Sequence, residues 1–107
     1  MRRPPVVEPG SVELARAARE WGCFYVPFAG AEAALALARE FFARPSSEKL
    51  ALGIEGSPHF RGYSEMRNER DWREQIHFGR ETAAVAGAEG YPRLAGPNLW
   101  PSDLGWR

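Results

Sequence analysis

The sequence of 107 residues is short of the groups that carry most covalent and metal chemistry. A single cysteine, Cys23, excludes an internal disulfide and any zinc site built on several cysteines. There are two histidines, His59 and His77, and one lysine, Lys49. No apolar run approaches the ~20 residues that a membrane span needs. The opening Met-Arg-Arg-Pro-Pro is basic but leads into no apolar segment of the secretory type. Neither sign of charge is in excess, with 14 basic and 14 acidic side chains. Thirteen of the basic residues are arginine, but they are interleaved with glutamates, and a neutral chain has no electrostatic footprint for nucleic acid. The arginine and alanine richness is read as codon usage. The expectation is a soluble cytoplasmic protein that binds neither nucleic acid nor membrane.

What is present patterns as one small α+β domain, with two to three helices and a few short strands. Pro4, Pro5 and Pro9 make residues 1–10 an extended lead-in. Ser11 is placed to cap a helix with Leu14, Ala18 and Trp21 on one stripe, and Gly22 to end it. Cys23-Phe24-Tyr25-Val26 reads as a buried strand stopped by Pro27. Residues 31–43 form the clearest helix, with Ala34, Leu37, Ala38 and Phe41 in a stripe widened by Leu35 and Phe42. Pro45 ends it, and Ser46 or Ser47 is placed to cap a short helical turn.

Gly53, Gly56 and Pro58 then break the chain. A short strand is expected over Phe60–Tyr63, with Gly62 marking a close backbone approach. Residues 64–70 read as polar and exposed. In residues 72–78, period two places Trp72, Glu74, Ile76 and Phe78 on one side of a strand, and Arg73, Gln75 and His77 on the other. From Gly79 onward there are five glycines and three prolines and no periodic segment. Tyr91, Trp100 and Trp106 have little apolar sequence around them, so they are expected to cover a surface supplied from outside these residues.

No reaction centre emerges from the residues themselves. A non-haem iron site wants two histidines and a carboxylate on one face. Neither His59 nor His77 has a carboxylate two residues away on a strand, which leaves only a long-range set with Asp71 or Glu74, and loop histidines are the simpler reading. Cys23 within an apolar strand reads as a buried, inert thiol rather than a nucleophile. No glycine-rich phosphate loop, serine elbow or zinc-binding helix motif is present. The expected catalytic and metal-binding residues are none.

Four segments, in order, nevertheless resemble one family. Trp21-Gly22-Cys23-Phe24-Tyr25-Val26 is similar to its Trp-Gly-Phe-Phe-x-Val junction. Phe41-Phe42-Ala43-Arg44-Pro45-Ser46-Ser47-Glu48-Lys49 is similar to its Phe-Phe-x-x-Pro-x-x-Glu-Lys element. Arg61-Gly62-Tyr63 with Asp71-Trp72-Arg73-Glu74 resembles Arg-Gly-Tyr and Asp-x-Lys-Glu, with Arg73 in the lysine place. Gly96-Pro97-Asn98-Leu99-Trp100-Pro101 resembles Gly-Pro-Asn-x-Trp-Pro. Together they resemble the N-terminal region of the isopenicillin N synthase-like, Fe(II)- and 2-oxoglutarate-dependent dioxygenases. One departure is Phe28-Ala29-Gly30, where the family often has Asn-His-Gly.

The resemblance implies that residues 11–107 are a non-haem dioxygenase N-terminal domain that stops before the catalytic double-stranded β-helix, or jelly roll. The family's iron ligands, His-x-Asp and a later His, and its Arg-x-Ser for 2-oxoglutarate lie on that core. Eight short strands and their connections need on the order of 80–100 residues, and this chain stops soon after Pro101. The chain is therefore expected to bind neither Fe(II) nor 2-oxoglutarate itself, although the complete enzyme would use both to oxidise a small organic substrate. Its partner would be a missing or separately encoded core. Phe60, Arg61, Tyr63 and Trp72 are the substrate-proximal candidates. The alternative is a stand-alone, non-catalytic binding module that docks on a separate oxygenase core.

Overall fold

A computed structural model describes residues 2–103. Two compact units, residues 1–33 and 34–107, divide the chain.

In the first unit, helix α1 spans Val12–Trp21. Its start follows from Ser11, whose extended backbone turns the side-chain oxygen to accept from the Leu14 amide at 3.3 Å. Its end follows from Gly22, which takes the left-handed φ of 72° that lets its amide close on the Ala18 carbonyl. The half-buried and buried stripe is Leu14, Ala17 and Trp21; Ala18 is exposed, one residue round from the expected face. The lead-in and the segment after the helix meet in a single parallel bridge, Val6 with Tyr25. The Tyr25 amide donates to the Pro5 carbonyl at 2.9 Å, and the Val7 amide to the Tyr25 carbonyl at 2.8 Å. The expected buried strand at residues 23–26 is thus reduced to one bridged residue. Cys23 is exposed rather than buried, as are Tyr25 and Val26, because one bridging partner cannot cover both faces of an apolar run.

In the second unit, the larger part of helix α2 (Ala31–Phe42) leads into helix α3 (Ser46–Leu50). The cap of α3 is Pro45 and neither serine: its preset φ of −54° aims its carbonyl to accept the Glu48 and Lys49 amides. Strands β1 (Gly62–Arg67) and β2 (Trp72–His77) form one antiparallel hairpin, in which Tyr63 faces Ile76, Glu65 faces Glu74 and Arg67 faces Trp72. The strand expected at residues 60–63 begins two residues later and takes in Ser64–Arg67, four of the seven residues read as polar and exposed, of which Glu65, Met66 and Arg67 are exposed. Polar side chains tolerate a two-stranded ribbon because its outer face stays wet. Phe60 lies outside the strand, with a left-handed φ of 56°.

The core is Phe41 and Tyr63, both 1% exposed, with Leu37, Phe42, Leu52 and Ile76 packed on them. Burying each of the two large rings is worth roughly 2–3 kcal/mol. They meet edge to face at 6.1 Å between centroids. Of the stripe expected on α2, Leu37, Ala38, Phe41 and Phe42 are covered, whereas Ala34 and Leu35 are exposed. Gly62 makes the close approach expected of it: φ is 118°, and a Cβ there would collide with the Leu52 carbonyl.

Residues 79–103 are more ordered than their composition suggests. A 3₁₀ turn spans Tyr91–Leu94, and Glu81 bridges Gly96. Trp100 is not an orphan: its ring stacks on Phe78 at 4.6 Å and its indole N–H donates to Glu81 Oε2 at 2.9 Å. Tyr91 is 85% exposed, and Trp106 lies outside the described residues. No helix among the described residues is long and apolar enough to cross a membrane.

Candidate functional site

The densest polar cluster joins α3 to the hairpin. Lys49 is carried inward by the last turn of α3 and is 5% exposed, an unusual place for a lysine. Its ammonium donates to Glu74 Oε2 at 2.6 Å and to the Phe42 carbonyl at 3.0 Å. The Tyr63 hydroxyl lies 2.7 Å from the same Glu74 oxygen and 2.7 Å from Glu65 Oε1. Period two explains the meeting: Tyr63 and Glu65 point to the same face of β1 as Glu74 and Ile76 do on β2.

Charge and burial act on these groups in opposite directions. The Lys49 ammonium holds the Glu74 carboxyl below its ordinary range against the opposing pull of burial, and the Tyr63 hydroxyl adds to the lowering. Burial first, then hydrogen bonding to Glu65 and Glu74, pushes the Tyr63 phenol far up. The cluster therefore holds a carboxylate that resists protonation and a phenol that resists ionisation. Such groups hold a fold together rather than exchange protons near neutral pH.

A second cluster forms around Asn98, which is 7% exposed. Its side chain accepts from the Gly79 amide at 2.8 Å and donates to the Gly79 carbonyl at 2.8 Å and to Glu81 Oε2 at 2.7 Å. One amide side chain thereby fills both backbone positions of Gly79, as a paired strand would. On the same unit, Arg44 grips Asp103 with two hydrogen bonds of 2.9 and 2.7 Å.

The four substrate-proximal candidates do not converge. Tyr63 is sealed in the core, and its hydroxyl is engaged by Glu65 and Glu74. Arg61 is half-buried and spends its guanidinium on the His59 carbonyl at 2.8 Å and the Leu94 carbonyl at 3.0 Å. Phe60 is 60% exposed, displayed by a turn in which Ser57 Oγ accepts both the His59 and the Arg61 amide. Trp72 is 73% exposed and shares a face with Tyr63, four residues further along the hairpin, about 13 Å away.

The residues present do not fit an iron centre. Glu74 is engaged by Lys49 and Tyr63, and His59 Nδ1 sits 2.7 Å from the Arg93 carbonyl. His77 pairs in register with Gly62 at the far end of β2 and is exposed. Among the described residues no group of three or more His, Cys, Asp or Glu side chains is arranged to hold a metal ion.

Comparison with known proteins places these clusters in a family. Residues 8–103 match the model described as non-haem dioxygenase in morphine synthesis N-terminal. The chain belongs to this family of dioxygenase N-terminal domains. It is also 35% identical over 79 residues to the 2-oxoglutarate-dependent dioxygenase frbJ of Dothideomycetidae sp. (strain 11243). That alignment covers 68% of this chain but 22% of the relative, so the chain spans about a fifth of the relative's length. No solved structure matches it significantly. Within the second unit, the segments that carried the resemblance supply both clusters: Lys49, Tyr63 and Glu74 form one, and Asn98 the other. In the sequence these residues stand out only as motif letters, which do not reveal that their side chains meet. The one lysine in an arginine-rich chain, and a glutamate in phase with Ile76, were the signals available for the first cluster.

Proposed function

We propose that this chain is the N-terminal, non-catalytic part of an Fe(II)- and 2-oxoglutarate-dependent oxygenase that acts on a small organic substrate. The observation that carries the proposal is the match of residues 8–103 to a dioxygenase N-terminal family, in a chain whose best-formed polar groups are spent on one another. Iron and 2-oxoglutarate would be held by a jelly-roll core, and this region would pack against that core. Exposed apolar side chains support the packing role: Val6, Tyr25, Val26 and Phe28 in the first unit are each 44–69% exposed. Of the four substrate-proximal candidates, Phe60 and Trp72 are the two that are free to meet a ligand, whereas Arg61 and Tyr63 support the turn and the core beneath them.

An immunoblot of the native source with an antibody to this sequence tests the proposal. A polypeptide several times heavier than 12.0 kDa is expected. A 12.0 kDa band that co-purifies with a jelly-roll polypeptide would replace it with the docking-module reading. A 12.0 kDa band with no such companion would overturn both.

A further inference from the structure

The Tyr63 amide donates to the Leu52 carbonyl at 2.8 Å, so Tyr63 turns its backbone groups away from β2. Facing residues of an antiparallel ladder alternate between hydrogen-bonded and non-hydrogen-bonded pairs. Tyr63–Ile76, Glu65–Glu74 and Arg67–Trp72 are therefore the non-hydrogen-bonded pairs. Trp72, Glu74 and Ile76 accordingly direct both amide and carbonyl away from β1. These groups recur about every 6.8 Å, the repeat of a neighbouring strand. Among the described residues no backbone hydrogen bond reaches them: the sheet has two strands, and the isolated bridges lie elsewhere. No proline or bulge guards this edge.

We infer that this edge takes a third strand from a polypeptide segment outside these residues, with an acidic side chain beside Arg73 and an apolar one beside Trp72. An extended backbone is the ligand that presents donors and acceptors at the matching repeat. Side chains set its chemistry. Trp72, Glu74 and Ile76 share one face of β2, and Arg73, Gln75 and His77 the other. Trp72 is 73% exposed, and Arg73 is exposed with no described carboxylate at ion-pair distance. Adjacent residues of an added strand also point to opposite faces, so one apolar–acidic pair meets Trp72 and Arg73 together. The residue facing Glu74 should be uncharged, since Lys49 already engages that carboxylate and like charges directly opposite destabilise. The inference rests on the oxygenase reading for the source of the strand, the jelly-roll core, and names where that core docks.

Amide hydrogen exchange of the chain, alone and with the peptide acetyl-Val-Thr-Thr-Glu-Val-Thr-amide, tests the assignment. In the chain alone, the amides of Trp72, Glu74 and Ile76 should exchange fast while those of Arg73, Gln75 and His77 are protected. The peptide should shift the three fast amides saturably and slow their exchange by roughly tenfold. A peptide with lysine in place of glutamate should bind about fivefold more weakly. Arg73→Glu should reverse that preference. Arg73 is exposed, so this variant should keep the fold, with unchanged Tyr63 ring resonances as the check. Three amides that are already slow in the chain alone, or that stay fast at any peptide concentration, would overturn the open edge. Slowing that scales with the concentration of the chain would make a second copy the occupant and overturn the external strand. Equal binding of the two peptides would overturn the role of Arg73. Failure of the oxygenase reading would show in the immunoblot and not in this titration.

Discussion

Lys49 and Glu74, 25 residues apart in sequence, meet at 2.6 Å with the lysine almost fully buried. Removing one partner of such a pair costs more than removing its charge alone, because the other is left buried without compensation. Glu74→Gln should therefore destabilise the chain by about 2–4 kcal/mol, read as a lower urea midpoint. Lys49→Met should cost less, since Glu74 is a third exposed and keeps the Tyr63 hydroxyl.

The same pair sets an acid limit. Glu74 has its carboxyl lowered in the folded state, chiefly by Lys49. Its contribution is complete above the unfolded carboxyl pKa of about 4.3 and is lost as pH falls through the lower folded value. Urea midpoints measured from pH 7 to pH 2.5 should fall below about pH 4.3, and Glu74→Gln should flatten that fall. An unchanged profile in the variant would remove Glu74 from the account.

Tyr63 sets the alkaline limit with the opposite sign. Its phenol is raised when folded, so its stabilising contribution is present below the unfolded value of about 10 and is lost as pH rises beyond it. Tyr63→Phe should lower stability at neutral pH by about 1–2 kcal/mol through the lost hydrogen bonds. It should also reduce the further loss above pH 10, seen by circular dichroism.

How much of this was legible in the sequence depended on whether a feature was local. Ser11 and Gly22 announced the ends of α1, and Gly62 its close approach, because caps and left-handed turns are dictated by single residues. Period two put Glu74 in phase with Ile76 but could not say that Lys49 would meet it. Cys23–Val26 misled because strand propensity reports a preference for a sheet and not the presence of neighbours. Asn98 misled in the opposite way: its side chain orders a segment with no hydrophobic period to detect. The candidate site residues divided similarly, as exposure separated Phe60 and Trp72 from Arg61 and Tyr63 only once the hairpin was in place.

Asn98→Ala should free the amide and carbonyl of Gly79 and unpair part of Glu81, at a cost of about 2–3 kcal/mol. Hydrogen exchange at the Gly79 amide should rise by at least tenfold. Exchange that stays slow would show that some other group holds residues 79–98 together.

The central claim is that this region supports an oxygenase without containing its reaction centre. The direct measurement is release of CO₂ from 2-oxoglutarate by the purified 107-residue chain with Fe(II), O₂ and ascorbate. The account predicts no release above the protein-free control, with His59→Ala, His77→Ala and Glu74→Gln variants indistinguishable from the parent. Iron-dependent release that any of these substitutions abolishes would contradict it, and would place a reaction centre within these residues.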